Sequence, residues 1–231
     1  MMKQLFLLII ILLSGLNVSA QVNPDALGGW YMYFWNTKAR KSGLGAQGDI
    51  QYRNWNVMGD LEQLLLRAGL TYSPKGTKAK FTLGYAFILT GDYGFTNPGT
   101  TNEHRIYQEA LIPHKIGKRI YLNHRFRFEQ RFVQNQAFRM RIRYNLFINI
   151  ALNKSELKKG AFYIGLYNEL FINTGKDIGN GATVEIFDRN RLYGALGYHI
   201  LDNLKVQLGY MYQSNNSYGK GQLQLSVHHA F

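Results

Sequence analysis

The sequence predicts an all-β protein: an antiparallel transmembrane β-barrel of 10–12 strands with an apolar exterior and a lumen rich in Arg, Glu and Tyr. Three observations predict it. The chain opens on an export signal, the remainder alternates apolar and polar residues over long segments, and one face of those segments carries most of the arginine.

The export signal occupies residues 1–20. Lys3 is a positive n-region, Leu5 to Leu13 an apolar run, and Val18-Ser19-Ala20 a small-residue cleavage site before Gln21. This is the layout of a secretory signal peptide, and the apolar run is too short for a membrane-spanning helix. The chain therefore divides into a signal peptide, 1–20, and one outer-membrane barrel domain, 21–231, with no Pro/Ser-rich linker inside it. Its 231 residues carry a formal charge of +13 and no cysteine. Without cysteine there is no disulfide framework, thiolate metal site or cysteine nucleophile. The positive balance suits nucleic acid, an anionic membrane surface or small anions, and export removes nucleic acid as a partner.

Alternation comes next. Period two is the mark of a strand with two different faces. In 138–152, Phe138, Met140, Ile142, Tyr144, Leu146, Ile148, Ile150 and Leu152 share one face, and Arg139, Arg141, Arg143, Asn145, Phe147, Asn149 and Ala151 the other. The same phase holds in 120–132, and further runs lie near 44–54, 61–72, 79–89, 103–112, 160–173, 185–200, 203–213 and 220–231. An aromatic segment, 29–36, is either an eleventh strand partnered by a twelfth or an interfacial belt. All four prolines are expected outside the strands, because proline cannot donate to a ladder. Connections near 73–78, 113–118, 153–159 and 201–203 read as compact, against long ones at 90–102 and 174–184. Short turns at one end and longer loops at the other, on segments longer than the ~5–6 residues of soluble strands, suit a membrane barrel.

Alternation does not say which face is buried, but volume does. Ten strands would supply roughly 50 large apolar side chains, whereas a barrel of about eight strands is already filled by its inward side chains. The apolar face must then point outward. The other face interleaves Gly69, Gly84, Gly165, Gly197 and Gly209 with long side chains, as a narrow lumen requires.

That inner face carries the charge. Lysines gather at the compact turns (Lys38, Lys41, Lys75, Lys78, Lys80, Lys115, Lys118, Lys154, Lys158, Lys159), while eleven of thirteen arginines fall inside strands. The planar guanidinium suits enclosed pairing with carboxylates. The candidate ladder is Glu103, Arg105, Glu109, Arg125, Arg127, Glu129, Arg131, Arg139, Arg141, Arg143, Glu169, Arg189 and Arg191, with Arg53, Arg67 and Glu185 in matching strands. It reads either as a salt-bridged plug or as a basic constriction that selects anions. An enzyme is the competing class, and it would need a serine nucleophile with a histidine base. Among the serines only Ser226 falls within a predicted strand, beside His228 and His229, and no HExxH, nucleophile elbow or P-loop occurs. The expectation is a non-enzyme with no cofactor and no metal.

These residues carry a family resemblance: Trp30; Glu62-Gln63 before Leu64–Tyr72; Glu103-His104-Arg105-Ile106-Tyr107-Gln108-Glu109; Arg125-Phe126-Arg127-Phe128-Glu129-Gln130-Arg131-Phe132; Arg141-Ile142-Arg143-Tyr144; Tyr167-Asn168-Glu169; and Asn190-Arg191 leading to Gly197-Tyr198. They resemble the outer-membrane barrel family catalogued as domain of unknown function 2490, over essentially the whole chain after the signal. The resemblance implies fold and location and brings no catalytic residues.

Leu223, Leu225, Val227, His229 and Phe231 share the outer face of the last segment, and the chain ends on Phe231. A terminal aromatic on such a strand is similar to the signal read by the outer-membrane assembly machinery. The expected location is the bacterial outer membrane, with outer-membrane lipids, lipopolysaccharide and that machinery as partners. A periplasmic C-terminus would place the compact turns in the periplasm and 90–102 outside. Bacterial single-chain barrels have even strand numbers, an expectation that ten segments plus 29–36 leave unresolved.

Overall fold

The computed structural model describes residues 26–37, 42–94 and 99–231. The signal peptide, Lys38 and Lys41 lie outside the described residues. Eleven strands form one closed sheet: β1 (Gly28–Asn36), β2 (Leu44–Asn54), β3 (Leu61–Tyr72), β4 (Lys80–Gly91), β5 (Thr100–Ile116), β6 (Ile120–Val133), β7 (Arg139–Ala151), β8 (Phe162–Asn173), β9 (Phe187–Leu201), β10 (Leu204–Ser214) and β11 (Gly219–Ala230). Each strand pairs antiparallel with the next, and β1 closes the ring against β11.

The closing pair is parallel, from Gly28↔Gln222 to Asn36↔Ala230. The count falls within the ten to twelve strands expected, and the closing pair is the one departure from an antiparallel sheet. In a meander each strand reverses the one before it, so with eleven strands the first and last run the same way and can only close in parallel. The aromatic segment 29–36 is therefore a ladder strand, joined to β2 on its other side, and needs no twelfth partner.

Polarity is inverted. Among the described residues the buried set holds twenty-five polar or charged side chains against eleven apolar ones, and large apolar groups cover the outside. Leu70 is 73% exposed, while Glu129 is 1% exposed. The interior is not uniformly polar, since Leu65, Ala86, Ile88 and Tyr107 form an inward apolar cluster on β3, β4 and β5.

Inward glycines make the space that the alternation predicts. Gly84 stands opposite Tyr107 and Gly197 opposite Tyr163. A Cβ on either glycine would overlap the facing ring.

Two expectations about connections need correction. Pro113 lies inside β5, opposite Asn123. Pairing with β4 ends at Lys80↔Leu111, so beyond that point one side of β5 is an edge, and an edge tolerates a missing donor. The β5–β6 turn shrinks to Gly117-Lys118-Arg119, with Gly117 at φ 57°. Loop lengths also sort less cleanly than the sequence suggests. The turn end includes the ten-residue connection 152–161, and the opposite end includes the four-residue connection 215–218. The described turn lysines do gather at one end, and Arg119 braces 152–161 by donating to the carbonyls of Ala151, Leu152 and Lys154.

Candidate functional site: the charged lumen

All eleven strand arginines of the sequence reading lie in strands. Register decides which of them meet a carboxylate. Glu109 is paired across the ladder with Arg127, Glu129 with Arg141, and Glu169 with Arg191. Side chains opposite one another on one face of a sheet are close enough to interact. The Arg127 guanidinium grips Glu109 through Nε and Nη2, and Gln47 Nε2 donates to the same carboxylate at 2.9 Å.

Around these pairs the network is bidentate and shared. Glu103 accepts from Arg105 at 2.6 and 2.7 Å and from Arg131 at 2.5 and 3.0 Å. Glu129 accepts from Arg141 at 2.7 Å and from Arg143 at 2.6 Å. Glu169 accepts from Arg143 at 2.5 Å and from Arg125 at 2.7 Å. Forked contacts of this kind are among the strongest that charged side chains make. Phe171, 1% exposed, sits beneath the group, with Arg143 at 4.4 Å, Arg191 at 4.7 Å and Arg141 at 5.1 Å from its ring centroid. Its π face gives the crowded cations a second, uncharged attraction.

The structure thus brings together Glu103, Arg105, Glu109, Arg125, Arg127, Glu129, Arg131, Arg141, Arg143 and Glu169. Arg139 stands apart, with a buried Nε that has no hydrogen-bond partner among the described residues. Glu185 does not join, because it falls in the connection before β9, where its carbonyl accepts from Asn173. The acid that serves this region is Asp188, which accepts from Arg141 at 2.6 Å and from Arg189 at 3.2 Å.

Asp188 and Glu62 escape a sequence reading for the same reason. The β8–β9 register passes from Phe171↔Arg189 to Ile172↔Phe187, skipping Asp188. The β2–β3 register passes from Arg53↔Gln63 to Asn54↔Leu61, skipping Glu62. A β-bulge inserts one residue and re-aims a side chain, so both carboxylates turn inward from positions that strict alternation puts outside. Glu62 accepts from Trp30 Nε1 at 2.9 Å. Asp49, which accepts from Arg67 at 2.9 Å, needs no bulge; its parity with Arg53 is the signal that could have found it.

The remaining arc of wall, β9 to β11 with β1 and β2, is built differently. Its inward groups include Gln51, Gln207, Gln213 and Gln224, with Lys205 and Lys220 as lysines set inside the barrel rather than at the turns. Among the described residues Arg53 donates only to amide oxygens, Gln51 at 2.6 Å and Gln63 at 2.8 Å, and it lies 3.7 Å from the Trp30 ring centroid. Arg191 donates to Gln213 at 2.8 Å, lies 4.8 Å from the same ring, and reaches Glu169 only at 3.8 Å. Ser226 Oγ is 3.1 Å from His228 Nε2, and His228 stacks on Phe34 at 4.7 Å. No carboxylate is paired with that imidazole among the described residues.

Both arcs enclose a cavity of about 360 Å³. Ten arginines and Lys205 line it, against the three carboxylates Asp49, Glu109 and Glu169. Glu103, Glu129 and Asp188 lie behind the lining and neutralise part of that excess. The chain belongs to the family described as Protein of unknown function (DUF2490), whose model matches residues 27–224. No curated protein matches it.

Proposed function

We propose that this chain, from a family whose description assigns no activity, is an integral outer-membrane barrel whose lumen is held shut by a salt-bridged brace. The observation that carries the reading is the inverted polarity of a closed sheet. A soluble barrel buries its apolar face, whereas a lipid-embedded one shows it outside and satisfies its polar groups within. Closure gives every strand a partner on both sides and leaves an edge only where strand ends overhang, as β5 does beyond Leu111, which suits a hydrocarbon environment. The export signal supplies the route, and Phe231, whose backbone N–H donates to Asn36 at 2.8 Å, supplies the C-terminal mark for the assembly machinery. Outer-membrane lipids and lipopolysaccharide are then the surrounding partners.

Fractionation of expressing cells tests the location. The protein is expected in the outer-membrane fraction, with a folded band that shifts in gels only after heating; recovery in the soluble periplasmic fraction would overturn the reading. Phe231→Ala is expected to lower that outer-membrane yield several-fold while refolding into detergent proceeds as before. Protease treatment of intact cells checks the orientation: cleavage at the Lys-rich turns without permeabilisation would reverse it.

A second reading, an anion-selective pore, is favoured by the excess of cations lining the cavity. Planar-bilayer recording separates the two. A braced lumen gives no stepwise currents, and anion-selective steps would favour the pore.

A further inference from the structure

We infer that the lumen contains a binding site for a small oxyanion, a carboxylate or a phosphate, built by Arg53 and Arg191 over the Trp30 ring. The inference rests on the braced-lumen reading above and assigns a task to the part of the wall that the brace leaves out.

Three observations converge on these residues. First, both arginines are buried, at 5% and 7% exposure, yet they spend their hydrogen bonds on neutral amide oxygens. Arg53 has no carboxylate within 4 Å among the described residues, and the nearest to Arg191 is Glu169 at 3.8 Å. A desolvated cation without a counter-charge is unfavourable unless something supplies one. Second, the two like charges lie against one aromatic ring, at 3.7 and 4.8 Å from its centroid. The ring offsets part of their repulsion and holds both guanidinium forks beside one space. Third, that space exists: both residues and Trp30 line the 360 Å³ cavity, which lies at the small end of the range for ligand pockets.

The surroundings set the ligand's character. Tyr167 and Gln224 face the same cavity and are within 3.5 Å of one another, adding hydroxyl and amide donors. Two carboxylates oppose an anion here: Glu62, which accepts from the Trp30 indole N–H at 2.9 Å, and Glu169, 3.8 Å from Arg191 and already shared by Arg125 and Arg143. Guanidinium forks match planar carboxylates and phosphate edges, whose two oxygens each take one N–H, whereas a halide offers one acceptor atom to both.

Titration calorimetry on the refolded barrel in zwitterionic detergent tests this, with inorganic phosphate in one arm and succinate in the other. Saturable one-to-one binding of at least one probe is expected. Phosphate alone would identify the phosphate class, succinate alone the carboxylate class, and both a shared oxyanion site. Arg53→Gln and Arg191→Gln are each expected to weaken binding by about tenfold or more, while Lys75→Gln at an exposed turn leaves it unchanged. Heat-modifiable mobility checks the fold of each variant. If a glutamine variant fails to fold, Arg53→Lys, which keeps charge but loses the fork, is expected to bind several-fold more weakly. The inference is overturned if the folded wild type shows no saturable binding, or if the folded variants bind as it does. Titration in detergent is independent of cellular location, so a failed fractionation and a failed titration are separately readable.

Discussion

The arc β5–β8 and the arc that runs through β9, β10, β11, β1 and β2 use the same cation to opposite ends. On the first, Arg105, Arg127, Arg131, Arg141 and Arg143 share Glu103, Glu109, Glu129 and Glu169 in contacts mostly between 2.5 and 3.0 Å. On the second, Arg53 and Arg191 meet glutamines and Trp30. Local strand structure is alike on both. What stands opposite in the ladder explains the difference for Arg53: Arg127 faces Glu109 and Arg141 faces Glu129, but Arg53 faces Trp30 on one side and Gln63 on the other. Arg191 stands between Glu169 and Gln213, and its Nε donates to the glutamine while Glu169 is taken by Arg125 and Arg143. An inward arginine is a brace or an open donor according to its cross-strand neighbours and to which other arginines already hold them, and residue type alone does not distinguish the two.

Breaking the paired arc should have the largest effect. Glu129 is 1% exposed and takes both Arg141 and Arg143. Glu129→Gln keeps the shape and removes the charge, leaving guanidinium groups buried without their partner. A loss of about 3–5 kcal/mol is expected, read as the shift in urea midpoint of the refolded barrel. A loss below about 1 kcal/mol would mean that lumen water replaces the carboxylate and the brace is not structural.

Next in size is a packing change at the margin of that arc, where β4 meets β5. Gly84→Ala drives a methyl group into the Tyr107 ring, and overpacking of this kind costs about 1–3 kcal/mol. The double variant Gly84→Ala with Tyr107→Leu should recover part of it; strict additivity in the same unfolding assay would show that the two residues do not share the space.

The other arc should respond with the opposite sign. Gln213→Glu places a carboxylate where Arg191 Nε now donates to an amide oxygen at 2.8 Å. It is expected to stabilise the fold by about 1 kcal/mol and to weaken oxyanion binding in the same sample. A destabilised Gln213→Glu would indicate that Arg191 is already neutralised. The smallest effect is expected at Lys205, whose ammonium has, among the described residues, the Tyr163 ring at 5.5 Å as its partner. Lys205→Gln should leave the urea midpoint within about 0.5 kcal/mol of wild type or raise it, and a large loss would point to an unrecognised counter-charge.

Much of this contrast can be traced back to the chain. Alternation identified the strands, their outward apolar face and all eleven strand arginines, because the pleat makes side-chain direction a local property of backbone spacing. It also anticipated Gly84 and Gly197 as space for long neighbours. It missed Glu62 and Asp188, since one bulged residue reverses parity without any change in composition. It accepted Glu185 for the complementary reason: the residue has the right type and lies two positions before β9 begins. Pro113 was excluded from a strand by a rule for paired ladders, which does not hold where β4 has already ended.

The sequence by itself determined that these strands have one apolar and one charged face, and that the apolar face is too voluminous to go inside. Both follow from residue volumes and a period-two repeat, which need no knowledge of neighbours. Tertiary structure decided that eleven strands close through a parallel pair and which guanidinium meets which carboxylate. Arg141 reaches Asp188 across 47 residues of sequence and Glu129 across 12. Pairings at such separations depend on the stagger of each strand against the next, and that stagger becomes definite only when the ring closes.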